Sequence, residues 1–514
     1  MSRRRVLAAL VIVSWLFMVG AHLRREYFQP ELARLALAAM ALNPGTNFYT
    51  LTMGGRSVGQ ATSALDTVPD GFLLEDLMSL ELPALGQTGT AVARTSVRLD
   101  PSLLMRSFEF SLDSEVGRFQ AEGTVEGDTL LRVTIRSQGS EQDVEFRLAQ
   151  PPVFSAIVPI RLAMSGELEV GRSVRFPVFD PSSMSTRNVE VRVLEEDTLI
   201  FPDSAEVGPD GRWRTASQDT VVAWRIAELF GGISVESWID EDGRTLRASS
   251  PLGFAMEKTE YELAQQAQNE ARSMPTRGVD DDVILSTAIE SNLDLSGVEA
   301  FDEVRFLLSG VDLEGFDLDG GRQELRGDTL IVRREAIGAL DPGFTLPYPS
   351  MDLRDALQPE PLIQSAHPEI IRMAEEITTR RATWRQDPRR VATELNTAVF
   401  NMLRKEITFS VPSALQVLET RRGDCNEHTV LYVAMARALG LPARTAVGLV
   451  YTNGAFFYHA WPEVWLDGWV AMDPTFGQAP ADAAHIRFVV GGLAQQVEIV
   501  RLIGNLDIEV LSIS

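Results

Sequence analysis

The chain has 514 residues, and its 47 lysines and arginines stand against 72 aspartates and glutamates, a formal net charge of −25. A surface of that sign repels phosphate backbones and anionic lipid headgroups, which excludes nucleic acid as a natural partner. With 45% hydrophobic residues, the composition is that of a globular protein long enough for about two to four domains.

The N-terminus carries Arg3, Arg4 and Arg5, an apolar run over 6–21, then His22, Leu23, Arg24 and Arg25. That run, flanked by arginines that can snorkel, predicts a membrane-spanning helix over residues 1–25. The acid-free cluster stays inside and the rest of the chain lies outside the cytoplasm, in the periplasm. A cleaved signal peptide is the alternative, because Val19-Gly20-Ala21 resembles a small-residue cleavage site.

Residues 45–263 read as a β-rich domain of short alternating runs such as "SFEFSLD" and "VEVRVLEEDTLIF", with Asp242-Gly243 marking a hairpin. Asp-Thr-Leu recurs at Asp128, Asp197 and Asp328, which suggests recurrent hairpin chemistry. Residues 264–345 are a mixed region. Its polar start reads as a linker, while "VEAFDEVRFLLSG" and "DTLIVRR" read as strands. The acids Asp280, Asp281, Asp282 and Asp312, Asp317, Asp319 lack the spacing of a calcium loop, so they are expected to be solvated loop charge. Three prolines in "LDPGFTLPYPS" then mark a boundary near 345–365.

Beyond it, residues 365–492 turn helical and then strand-like, and 493–514 form a C-terminal strand segment. "DPRRVATELNTAVFNMLRK" has Asp387 as N-cap, Pro388 at the first helical position and an apolar stripe from Val391 to Leu403. The fold class expected from this order is α+β.

The only cysteine, Cys425, stands in "TRRGDCNEHTVLYVAMARALGLPAR". Asp424 and Glu427 are in capping-box spacing ahead of a helix that ends at Gly440, so Cys425 falls in the first helical turn. Unpaired N–H groups there favour an anion. The thiol pKa is therefore expected below the free value of about 8.5, and the same groups could hold an oxyanion. A thiol nucleophile needs a base and an orienting group. "FFYHAWPEVWLDGWVAMDPTFG" offers His459 on one strand and Asp473 at the end of the next. A strict two-residue turn at Asp467-Gly468 would put the two on opposite sheet faces. The pair thus requires a bulge, most naturally at Pro462, or another loop length. His428 is a weaker candidate base, because it shares the short helix with Cys425 and nothing obvious orients it.

These blocks, Gly423-Asp424-Cys425, "ARALGLPARTAVGLVY", His459-Ala460-Trp461 and Asp473-Pro474-Thr475, resemble the transglutaminase-like superfamily in the order its papain-like core requires. The resemblance covers residues 365–492. It implies a C-terminal papain-like core following a β-rich N-terminal region, with Cys425 as nucleophile, His459 as general base and acid, and Asp473 as orienter. It also matches Arg444, expected to pin a loop. A side-chain oxyanion donor stays unassigned: Gln416 is already used in a capping box, and Trp461 reads as either core or a substrate-tunnel wall.

The expected function is an extracytoplasmic cysteine-dependent amide hydrolase or acyltransferase acting on peptide or protein amides through a thioester acyl-enzyme. No cofactor is implied, and scattered histidines give no metal-ligand spacing. The alternative is a non-catalytic scaffold or binding module of the cell envelope.

Overall fold

The computed structural model describes residues 31–514 apart from 85–86, 138–139, 181–184, 231–232, 251–252, 274–281, 283 and 379–382. The expected anchor at 1–25 and the acids Asp280 and Asp281 lie outside the described residues. Among the described residues no helix is long and apolar enough to cross a membrane. The expected spanning helix, and with it the membrane-anchored placement, therefore has no support in the fold.

The α+β class also needs correction. Of the described residues 47% lie in strands and 22% in helices, so the protein is mostly β. Strands are not confined to the N-terminal half: among the described residues a five-stranded, a four-stranded and a two-stranded sheet accompany the C-terminal helices.

Fifteen strands between Gly45 and Thr259 form one sheet. Alternation builds it residue by residue. In the strand Leu130–Ser137, Leu131, Val133 and Ile135 are buried, while Arg132 and Arg136 point outward to Glu145, Glu141 and Glu122 on neighbouring strands. Two antiparallel meanders are joined where the first strand, Gly45–Met53, pairs with the last, Phe254–Thr259. The sheet's two edges, Ser140–Arg147 and Val153–Phe154, are only a few residues apart in sequence. That connection spans at most ~20 Å, whereas fifteen strands laid flat would be ~70 Å across. The sheet must therefore curl until its edges approach, and Phe179 of one meander packs on Phe108 and Phe146 of the other at 5.4 and 6.1 Å. Of the Asp-Thr-Leu sites, Asp128 and Asp328 sit in hairpin turns, but Asp197 lies mid-strand in Ser185–Val207.

The polar run after Ala264 is helical to Ser273 rather than linker. Strand Glu303–Ser309 lies between Thr329–Arg333 and the C-terminal strand Asp507–Ile513. Its Val304, Phe306 and Leu308 share one buried cluster with Leu449, Phe456, Ile486 and Phe488. Asp312, Asp317 and Asp319 each accept a backbone N–H instead of converging on one point.

Helix Cys425–Ala438 forms the centre of the C-terminal half. Leu431 through Ala436 are all fully buried, because Pro388–Met402, Ala414–Thr420 and the strands Ala443–Thr452 and Ala455–Trp465 surround it. The curled sheet is fastened to this half just before the cysteine. Gln416 donates through Nε2 to the Val116 carbonyl at 3.0 Å, Ser137 donates to Ser413 at 3.1 Å, and Arg422 donates to the Glu115 carbonyl at 2.6 Å. Gly89 is needed at the same contact, since a Cβ there would lie 2.3 Å from the Phe409 ring.

Candidate active site

The capping box at the helix start forms as expected. Asp424 accepts the Asn426 N–H at 2.9 Å and Glu427 accepts the Asp424 N–H at 2.9 Å. With the Glu427 N–H also turned to Asp424, the Cys425 N–H is the first-turn donor that the box does not use. The electrostatic consequence opposes the sequence expectation. Burial, then Asp424, push the half-buried Cys425 thiol up, and a hydrogen bond with the Ala460 backbone only partly counters them. The helix-end field is outweighed because carboxylates occupy the N–H groups that would have faced a thiolate.

His459 lies on strand Ala455–Trp465, opposite Gly448 of Ala443–Thr452. The cysteine helix is tied to this strand by Thr429, whose hydroxyl donates to the Ala460 carbonyl at 3.0 Å. No irregularity occurs at Pro462, which pairs regularly with Thr445. Loop length solves the facing problem instead: Trp465 pairs with Trp469 around a three-residue turn, Leu466–Gly468, so His459 and Asp473 fall on the same face. Asp467 adopts a positive φ of 75° within this turn.

Asp473 is wholly buried, and its Oδ2 lies 2.8 Å from His459 Nε2. Its Oδ1 accepts the N–H groups of Thr475 (2.7 Å) and Phe476 (3.0 Å). Burial alone would raise its pKa, but His459 and His485 hold the carboxyl well below the usual carboxylate range. The contact favours the His459 tautomer with its proton on Nε2, which leaves the lone pair on Nδ1.

A second histidine, missed in the sequence, completes the cluster. His485 places Nε2 2.9 Å from Asp473 Oδ2 and Nδ1 2.9 Å from Asp482 Oδ1. Asp-x-x-His at Asp482 and His485 was the available signal, but it identifies a pair only once the strand His485–Val490 is placed beside Ala443–Thr452. Gly448 permits that close approach, since a Cβ there would meet the Ile486 carbonyl at 1.8 Å. His459, Asp473 and His485 are compact enough to hold a metal ion, yet their atoms face one another as a hydrogen-bonded relay at 2.8 and 2.9 Å.

The other candidates resolve differently. His428 sets Nδ1 2.6 Å from the Asp424 carbonyl, burial lowers its pKa, and no carboxylate orients it. Gln416 is committed to Val116 and accepts from Ser137, so it is no oxyanion donor. Trp461 is fully buried, stacked on His459 and edge-on to His485, which makes it core rather than tunnel wall. Arg444 pins no loop; it binds Glu463 on the next strand at 2.6 and 2.8 Å and lies over the Trp469 ring. Phe476 covers His459 at 5.1 Å and is 41% exposed, the apolar lip of the site. One and four residues beyond Cys425, Asn426 and Thr429 border a cavity of about 320 Å³ whose far wall is Phe119, Ile135 and Phe146 of the curled sheet.

Residues 371–474 match the model of the transglutaminase-like superfamily. This stretch is a transglutaminase-like domain. The match ends before Asp482 and His485. Among curated proteins none matches the chain. Among solved structures the chain resembles a Cytophaga hutchinsonii protein provisionally named a cysteine protease, at 16% identity and TM-score 0.27, covering 42% of this chain and 85% of the other. It also resembles the periplasmic domain of TgpA from Pseudomonas aeruginosa bound to ethylmercury, at 20% identity and TM-score 0.23, covering 34% and 73%. A β-barrel-like DUF1849 protein from Brucella abortus follows at 15% identity and TM-score 0.32, covering 42% and 95%. At these scores the likenesses decide nothing about activity.

The buried relay gives the transglutaminase-like domain a pH signature. His485 is pushed up to about 9 by Asp482 and Asp473 against the opposing effect of burial, from an ordinary 6.5. Its contribution to stability is therefore complete below about 6.5 and lost as pH rises through about 9. Asp482, held at about 2 by His485 despite burial, contributes above its ordinary 3.8 and loses that contribution as pH falls towards 2. Thermal melts across pH should show an alkaline decline in the wild type that is much reduced in His485→Gln.

Proposed function

We propose that the chain is a cysteine-dependent acyl-transfer enzyme acting on peptide or protein amides, with Cys425 as nucleophile, His459 as general base and acid, and Asp473 as orienter. The observation that carries this reading is the 2.8 Å His459–Asp473 bond, which leaves Nδ1 of His459 to serve a thiol hydrogen-bonded to the adjacent Ala460 backbone. His459 Nδ1 takes the Sγ proton as sulfur bonds to the amide carbon. The oxyanion turns to the Cys425 N–H. Collapse breaks the C–N bond, the amine leaves with the proton from His459, and a thioester remains. Water activated by the same imidazole then releases the acid. The cavity walled by Phe119, Ile135 and Phe146 suits an apolar side chain on the acyl side.

The test is acyl-enzyme trapping. Purified protein is incubated with a library of peptide thioesters and amides, acid-quenched and weighed intact. A hydroxylamine-labile mass increase on the Cys425 peptide supports the proposal. If no peptide acylates Cys425 while the thiol stays chemically intact, the domain is a binding module.

A further inference from the structure

The relay contains one residue that the proposed chemistry does not use. His485 is fully buried, and both of its ring nitrogens face carboxylate oxygens at 2.9 Å. A neutral imidazole has one N–H and one lone pair. Whichever nitrogen lacked the proton would set a lone pair against an anionic oxygen in a site without solvent. The geometry is satisfied only when both nitrogens donate. Asp482 is itself fixed: its Oδ2 accepts from Gln478 at 2.8 Å and its Oδ1 accepts the Ala484 N–H at 2.9 Å. The other groups against the His485 ring are neutral or already paired. Trp461 lies edge-on at 5.2 Å and His459 at 5.9 Å, while the Arg322 guanidinium turns to the Ala481 and Asp482 carbonyls.

We propose that His485, held as an imidazolium between Asp482 and Asp473, is a positioning residue that fixes the orienting carboxylate and neutralises much of its charge. This inference rests on the catalytic reading above. Asp473 has four donors, two imidazoles on Oδ2 and two backbone N–H groups on Oδ1, which use every lone-pair direction and forbid rotation. The cation beside Asp473 also limits how strongly the carboxylate can stabilise a proton on His459.

The test compares iodoacetamide alkylation of Cys425 against pH in the full chain for wild type, His459→Ala, Asp482→Asn and His485→Gln. Asp482→Asn lets His485 become neutral while its Nε2–H still donates to Asp473, and His485→Gln keeps an amide donor without the charge. His485→Gln should shift the alkylation midpoint downward by about one to two pH units, the size expected for removing a unit charge across 5.9 Å at an effective dielectric of ~20, and Asp482→Asn, which removes an anion together with the cation, should shift it the same way by less. His459→Ala should shift it upward. A merely structural role would lower reactivity without a downward shift. If His459→Ala moves the midpoint and the other two leave it in place, the His485 role is overturned and the catalytic reading stands. If His459→Ala also leaves it in place, both fall. Nitrogen-15 NMR of labelled histidine is independent of reactivity: two protonated ring nitrogens on His485 near neutral pH are expected, and a single one overturns the proposal.

Discussion

Cys425→Ser and His459→Ala are each expected to lower kcat/KM by about 10³-fold or more, with the double variant no worse than the weaker single. In the proposed mechanism the two side chains perform one step, so removing either removes the step. Serine lacks the polarisable sulfur. It would also have to be deprotonated beside Asp424, which already raises the thiol. Asp473→Asn should cost nearly as much. An amide N–H aimed at His459 Nε2 would favour the wrong tautomer, and the same group would have to face His485 Nε2, 2.9 Å from Oδ2 in the wild type. Steady-state kinetics on a substrate found by trapping, with circular dichroism as a fold check, decide this; full activity in Cys425→Ser would remove the thiol from the mechanism.

The largest effect on stability should come from Glu463. It is 1% exposed and accepts from two arginines, Arg444 on Oε2 and Arg487 on Oε1 at 3.0 Å. Arg487 is also buried and reaches the Asp317 and Gly320 carbonyls at 3.1 Å, so the pair fastens the 317–323 segment to the central strands. Glu463→Ala leaves Arg487 charged and unpaired in the interior, a loss of about 3–5 kcal/mol. The double variant Glu463→Leu, Arg487→Met should recover part of that loss, because it removes the stranded charge as well as the pair. Urea unfolding measures both. A Glu463→Ala midpoint indistinguishable from wild type would mean that water reaches this pair.

Local features were legible in the sequence. Spacing alone located the Asp424–Glu427 capping box, and an aromatic-rich run followed by Asp467-Gly468 located the strands around His459. What could not be read depends on pairing between distant segments. The union of the two meanders into one large sheet follows from the meeting of Gly45–Met53 with Phe254–Thr259, about two hundred residues apart. The turn length that aligns His459 with Asp473 differs by one residue from the simplest reading of Asp467-Gly468, enough to reverse every face. The thiol's direction was misread because the helix field was counted without the carboxylates that cap the same helix. His485 was passed over because its two partners come from a loop and from the end of another strand. The mostly β class was underweighted although Glu303–Ser309 and the C-terminal segment read as strands, because their pairing into one sheet joins Glu303–Ser309 to Asp507–Ile513 about two hundred residues away.

The clasp at Gln416, Ser413 and Arg422 has a practical corollary for anyone dividing this protein into pieces. A fragment beginning after the curled sheet would bare a glutamine and a serine that are buried in the whole chain, on the short helix that leads into the nucleophile. Its register would then be set by solvent instead of by Val116 and Ser137. Low turnover in such a fragment would report a slackened mounting rather than an absent enzyme, and a ligand that reshapes the sheet has a lever arm only a few residues long with which to reach the sulfur.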